Sequence, residues 1–481
     1  MITDYAVPLR LSINDPYNNS SYSYANWWLF KEQARSLVRN LATFITCLVK
    51  LLFCFMKTMS PHLINKAATG KRILILGASL ENAPYIQYLL EQGFNVVCAD
   101  RCPADFKGQF DAYGSTFTLY AVDFSNDDLI DEIITKEHIT HTLALPIGRA
   151  LICLGRINDK FGFIGPSYKA IDTLTNKLSF HRICELNELS HAQYLIVEDN
   201  SEHGLLEFYH LIEAQLQYPF IIKPAFGSGS SGVCIINNRQ ELLSYKVPER
   251  FVKSPLLVEQ IIQGSEYSCN VFVDSYSKPH CIGMFKKGLS KPPYRQEACY
   301  FSDDYTDAFD TVYESMAKIC KRLDLRQCFI NADVIIDHNA QPYIVDISPR
   351  IGGNSLLRLL SFNGNHPLRF FTDCVLGDKD VLVQEQKCSV MRFFDFQNSF
   401  TYEGVTSLKT GKKSALDGSI DCCFSPADKA DIISLVNNLH IGDLLGPMTN
   451  GRDVARGHIF VQKEDTASAF AMTSQYLEAL T

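Results

Sequence analysis

Apolar and polar positions follow two different periods along this chain, and their alternation sets out the elements. Residues 72–76 are an apolar run closed by Gly77, 80–92 repeat at helical spacing and stop at Gly93, and 95–99 form a second apolar run ending on Asp100. That order predicts strand, tight turn, helix and strand, the βαβ unit of a doubly wound parallel sheet. Strands at 118–122 and 142–146, with a helix at 127–137 between them, continue the pattern to about Gly165. From Pro166 the pattern changes. A helix is expected over 169–188 with Lys177 inside it, then a strand at 193–197, a helix at 205–215, and short strands at 220–222, 233–236 and 256–258. Alternating stretches at 267–273 and 281–285 read as a pair, and a long helix at 307–323 leads to strands at 329–336 and 343–347 joined by Asp337-His338-Asn339. A strand and an alanine-containing helix close the chain within 452–480.

The first 69 residues stand apart. The stretch 37–59 is strongly apolar, yet Arg39, Thr43, Thr46 and Lys50 draw one polar stripe down a helix. Three placements are open: packing on the body or on a partner subunit, lying in a membrane surface, or spanning a membrane. The charges at Arg39, Lys50 and Lys57 weaken the last, since a span needs about 18 uncharged apolar residues. Trp27 and Trp28 just upstream suit either of the first two.

Composition narrows the classes. At 481 residues the chain can bury several cores. A net charge of −8 without a basic run argues against nucleic-acid binding. The 16 cysteines are scattered without CxxC spacing and read as reduced core residues of a cytoplasmic protein, with neither zinc nor a disulfide framework.

The chemistry concentrates in 220–233, FIIKPAFGSGSSGV. A short strand delivers Lys223, and Gly227, Ser228, Gly229, Ser230, Ser231 and Gly232 follow. Glycines let backbone amides approach an anion, serines add hydroxyl donors, and the lysine supplies charge, so the stretch suits phosphate. The lysine precedes the glycines and a strand follows, which excludes the GxxxxGK[ST] loop and favours a hairpin over a nucleotide. Gly77 and Asp100 are spaced as in a dinucleotide site, but Glu81 and Asn82 replace the second half of GxGxxG. A structural Rossmann-like domain without NAD is the better reading. Asp333 and Asp346, 13 residues apart on two expected antiparallel strands, can share one face and one divalent cation.

The order Lys177, Lys223, glycine hairpin, Glu259 to Glu266, Asp333, Asp346 and Arg350 resembles the ATP-grasp superfamily, in particular its bacterial L-amino-acid ligases. The resemblance implies an α/β architecture: an N-terminal extension (1–69), a Rossmann-like pre-ATP-grasp domain (70–165), a two-lobed α+β ATP-grasp domain (166–380) and a small C-terminal α+β domain (381–481). It implies an ADP-forming carboxylate–amine ligase that uses ATP and Mg²⁺, or Mn²⁺ in its place, on small carboxylate and amine substrates. Carried over residue by residue, Lys177 and Lys223 meet the α and β phosphates, and Glu259, Gln260, Ile261 and Ile262 line the adenine edge. Glu266 holds the ribose; Asp333, Asp346 and Ser348 hold the metal; Arg350 steadies the developing charge. The segment 292–300 resembles the one placed over the amino acid, with Glu297 receiving its ammonium and Tyr300 where a histidine is usual. Asp346 and Ser348 depart from the usual glutamate and asparagine. Carboxylase or carboxylate–thiol chemistry, or a weakly active nucleotide-binding module, are the alternatives, and homodimerisation is left open.

Overall fold

The computed structural model describes residues 68 and 70–481, apart from 79–81, 107, 199–201, 226–231, 253, 292–295, 303–305, 354–365, 378–387, 408–412 and 415–422. The predicted helix at 37–59 therefore lies outside the described residues, as do Gly227 to Ser231 of the glycine hairpin and 292–295 of the segment ahead of Glu297.

The first sheet is parallel throughout, in the order β3-β2-β1-β4. It comprises β1 (Arg72–Leu76), β2 (Asn95–Asp100), β3 (Phe117–Ala121) and β4 (His141–Leu143). Helices α1 (Ala83–Glu91), α2 (Asp127–Lys136) and α3 (Leu151–Phe161) connect or follow these strands. The β1 sequence RILIL has apolar side chains at consecutive positions, as a strand covered on both faces requires. Its Ile73 and Ile75 belong to one core cluster, and Leu74 and Leu76 to another. The helix α2 is set by its ends: Asn126 accepts from the Leu129 amide, Asp127 and Asp128 occupy the positive end, and Lys136 the negative one. Gly77 turns the chain after β1 at φ +113°, a conformation that glycine adopts without strain.

The helix expected over 169–188 is two helices, α4 (Tyr168–Thr175) and α5 (Lys177–Leu186). Asn176 breaks the run because its backbone is extended and its side chain accepts from the Leu178 and Ser179 amides, restarting the helix. Lys177 thus opens α5. Next comes a four-stranded sheet, order β5-β8-β6-β7, made of β5 (Tyr194–Val197), β6 (Phe220–Pro224), β7 (Cys234–Ile236) and β8 (Leu256–Gln260). The helix α6 (Glu202–Gln215) lies between β5 and β6 in the chain.

An eight-stranded sheet, order β13-β12-β9-β10-β11-β14-β20-β18, dominates the rest. Its first half is β9 (Ser265–Val273), β10 (Pro279–Leu289), β11 (Glu297–Phe301), β12 (Cys328–Ile336) and β13 (Pro342–Ser348). The long helix α7 (Thr306–Arg322) packs Val312, Met316 and Ile319 against Cys269, Val271 and Ile330 of this sheet. The helix α8 (Arg369–Leu376) follows, and three strands of the tail, β14 (Ser389–Phe393), β18 (Ile432–Asn437) and β20 (Gly457–Gln462), extend the same sheet. Short pairs β15 (Phe400–Thr401) with β19 (Leu444–Leu445) and β16 (Val405–Thr406) with β17 (Lys413–Ser414) decorate the tail, and α9 (Thr466–Leu480) covers its core. The cysteines resolved as free include many buried ones, and none of those described forms a disulfide. No helix among the described residues is long and apolar enough to cross a membrane.

Candidate active site

The face of the large sheet opposite α7 carries the chemistry. Strand pairing sets Asp333 on β12 directly against Asp346 on β13 and against Ser268 on β9, so the three share a face. One row further, Asn331 faces Ser348 and Asn270, and Glu266 lies on the same face of β9. Two facing carboxylates repel unless cations intervene. Both flanks supply one. Lys177 Nζ lies 3.4 Å from Asp346 Oδ1, and Lys287 Nζ lies 2.6 Å from Asp333 Oδ1. Lys287 continues to Glu297 Oε1 at 2.5 Å, and the Tyr300 hydroxyl donates to Glu297 Oε2. The result is an unbroken row of charges from α5 through β13, β12 and β10 to β11.

Burial sharpens these pairings. The Lys287 side chain is only 2% exposed. Burial alone would lower its affinity for a proton, but Asp333, Glu297 and Tyr300 reverse this and hold it well above the usual lysine range. Burial pushes the Asp333 carboxyl up to about 6, with Glu297 and Asp346 adding to the rise against the opposing pull of Lys287. The folded chain thus binds this proton more tightly than the unfolded one. Its stabilising contribution is complete below about pH 4, the ordinary aspartate value, and is lost as pH rises through about 6. A cation at Asp333 competes with that proton. Titrating Mg²⁺ across pH 5 to 8 is expected to show apparent affinity falling about tenfold per unit below pH 6 and levelling above it; a flat profile refutes the assignment.

The smaller sheet contributes a second buried cluster. Lys223 Nζ on β6 is 2.6 Å from Glu259 Oε2 on β8, and His181 Nε2 on α5 is 2.6 Å from Glu259 Oε1. Burial opposes ionisation of Glu259, yet Lys223 first and then His181 keep its carboxyl below the usual glutamate range. The Lys177 amide donates to Ala225 O at 3.2 Å, which ties the start of α5 to the end of β6. Lys177 and Lys223 therefore come from adjoining backbone. Gln260 turns its amide back onto Gln217 and Pro219, fixing the end of β8, while Ile261 and Ile262 follow half-buried.

Arg350 sits just past β13, its Nη1 donating to Ile351 O at 2.8 Å. A Cβ placed on Gly148, beyond the end of β4, would come within 3.7 Å of Arg350 Nε, so the parallel sheet's last loop borders the same cleft. Asp100 is already engaged: its carboxylate accepts the amides of Ala78 and Cys102. Gly232, the described end of the hairpin, has φ +81° and lies against Phe251.

Among the described residues no group of three or more His, Cys, Asp or Glu is placed to hold a metal. Asp333 and Asp346 offer hard oxygens on one face, which fits Mg²⁺ held by one or two carboxylates and completed by phosphate oxygens. Ser348 stands one row deeper, opposite Asn331.

Lys287 and His181 were not identified from the sequence. The alternating stretch read from the sequence ends at 285, whereas β10 runs to Leu289. The available signal was parity: Lys287 falls in step with Phe285 on the alternating pattern, and Lys286 does not.

Comparison with known proteins places these elements. Residues 216–357 match the ATP-grasp domain family. The chain is similar to a D-aspartate ligase of Enterococcus faecium, 25% identical over 44% of this chain and 52% of that protein. It is also similar to an L-arginine-specific L-amino acid ligase of Bacillus subtilis, 20% identical over 47% of this chain and 54% of that protein. The matches thus span about half the length of each of these relatives. Among solved structures, the L-amino acid ligase of Bacillus licheniformis superposes with a TM-score of 0.64 at 15% identity, over 85% of this chain and 98% of that one.

Proposed function

We propose that this chain, which carries an ATP-grasp domain and resembles the amino-acid ligases of that superfamily, joins a carboxylate to an amine and converts ATP to ADP and phosphate. The observation that carries the reading is the row Lys177, Asp346, Asp333, Lys287 and Glu297, which sets two carboxylates between two cations. Such a row accepts a polyphosphate with its divalent cation at the centre. Lys177 and Lys223 would take the α and β phosphates, and the serines and glycines of 227–232 are of a composition that supplies further hydroxyl and amide donors. Glu259 to Ile262 would line the adenine and Glu266 the ribose.

Asp333 and Asp346, with Ser348 nearby, would hold Mg²⁺ or Mn²⁺, which when bound neutralises charge on the transferring phosphate. The carboxylate substrate becomes an acyl phosphate, a better electrophile, and the bound amine displaces phosphate from it. No side chain need act as a covalent nucleophile; positioning and charge carry the reaction. Arg350 would steady the negative charge that grows on the acyl phosphate and the intermediate. Glu297, with 43% of its side chain exposed, would exchange part of its contact with Lys287 for the substrate ammonium.

Product analysis tests this reading. With a panel of amino acids and amines, ADP and phosphate should appear in equal amounts and only when both substrates are present. AMP with pyrophosphate, or ADP formed with no amine requirement, overturns it.

A further inference from the structure

We propose that the groove at the carboxyl ends of β2 and β3 binds a small molecule carrying a carboxylate or phosphate group on an apolar body. Its volume is about 570 Å³, and it lies outside the carboxyl ends of the strands, to one side of the switch point between β1 and β4. Three arginines line it, and they are engaged differently. Arg156 is anchored, with Nε 2.8 Å from Asp127 and Nη1 2.9 Å from Asp131. Arg101 stands 3.7 Å from Asp123, and Arg149 stands 3.8 Å from Asp100, both beyond hydrogen-bond reach. Neither donates a hydrogen bond to any described residue, and their side chains are 66% and 60% exposed.

The carboxylates beside them are committed elsewhere, Asp100 to the Ala78 and Cys102 amides and Asp123 to Ser125. Two exposed guanidinium forks thus flank the groove with their donors available for bidentate recognition of an oxyanion.

The same carboxylates leave the groove close to neutral, so a bare anion gains little there. The opposite wall supplies the remainder. The Arg149 guanidinium lies over the Phe124 ring at 5.4 Å, and Ile152 and Tyr168 are each nearly half exposed beside it. This wall is built by close packing: a Cβ on Gly155 would come within 2.6 Å of the Tyr168 Cα, so only glycine lets α4 approach α3 this closely. Arg149 follows Gly148, the residue that borders Arg350. A ligand held by Arg149 would thus lie one residue from the turn that abuts the candidate active site.

Isothermal titration of the full chain with phenyl phosphate, phenylacetate and inorganic phosphate tests the proposal without assuming the ligase reading. At least one aromatic probe should saturate, about tenfold more tightly than inorganic phosphate, and the better of the two identifies the headgroup. The R101A/R149A double variant should weaken binding by about tenfold or more while Mg-ADP affinity stays within about twofold. Should that variant not fold, Ile152→Glu, at an exposed position, should bring a comparable loss. Absence of saturable binding by all three probes, or binding indifferent to these variants, overturns the proposal.

Discussion

Replacing Lys287 by methionine is expected to slow ADP release by about 100- to 1,000-fold, the effect of removing one preorganised charge from a dry site. Methionine fills most of the space of the lysine stem, so what is lost is the ammonium that lies 2.6 Å from Asp333 and 2.5 Å from Glu297. Two carboxylates are then left facing each other and Asp346 without it. The carboxylates left behind are partly exposed, Asp333 by 33% and Glu297 by 43%, so solvent screens much of their repulsion and the thermal midpoint should fall only modestly. The control is K287R, which keeps the charge and should recover part of both losses. If K287M turns over within about threefold of the parent while folded, Lys287 has no part in the reaction.

Asp333→Asn is expected to separate activity from stability. The Asp333 carboxyl is raised because burial, Glu297 and Asp346 all disfavour its charge. A neutral amide of the same shape removes that repulsion and leaves Lys287 paired with Glu297. At pH 8, above the raised pKa, the variant should melt no lower than the parent, and the advantage should shrink as pH falls below about 6. Mg²⁺-dependent ADP release should nevertheless drop by about 1,000-fold, because one of the two carboxylates proposed to hold the metal is gone. A variant that melts lower at pH 8, or retains Mg²⁺-dependent turnover, contradicts this account of the site.

The legible parts of this site were those set by local rules. Asp333 and Asp346 could be assigned to neighbouring strands because a five-residue turn, 337–341, joins them, but a β-bulge between Val334 and Asp333 sets their register, since an unbroken ladder would pair Asp333 with Val345. Lys223 could be placed because an apolar strand leads straight to it. The break at Asn176 was also locally encoded, but the apolar spacing of 169–188 continues across it and masks the cap. What could not be read depends on contacts distant in the chain. Lys287 is a surface residue by its neighbours and a buried one only because β11 and β12 supply Glu297 and Asp333. The tail's strands carry nothing that announces their partners, since pairing β14 with β11 requires knowing that β11 would otherwise be an edge.

That last pairing ties the strands of the tail to β11, the strand that carries Glu297, the residue proposed to receive the amine. Cys299, Tyr300 and Phe301 are laced to Arg392, Met391 and Val390, and β14 is in turn laced to β20. Strain introduced at the chain's end, by a fused tag or a clipped final helix, would travel along this backbone lattice to Glu297. If the proposed reaction holds, selectivity between amines is then expected to fall before any visible loss of fold.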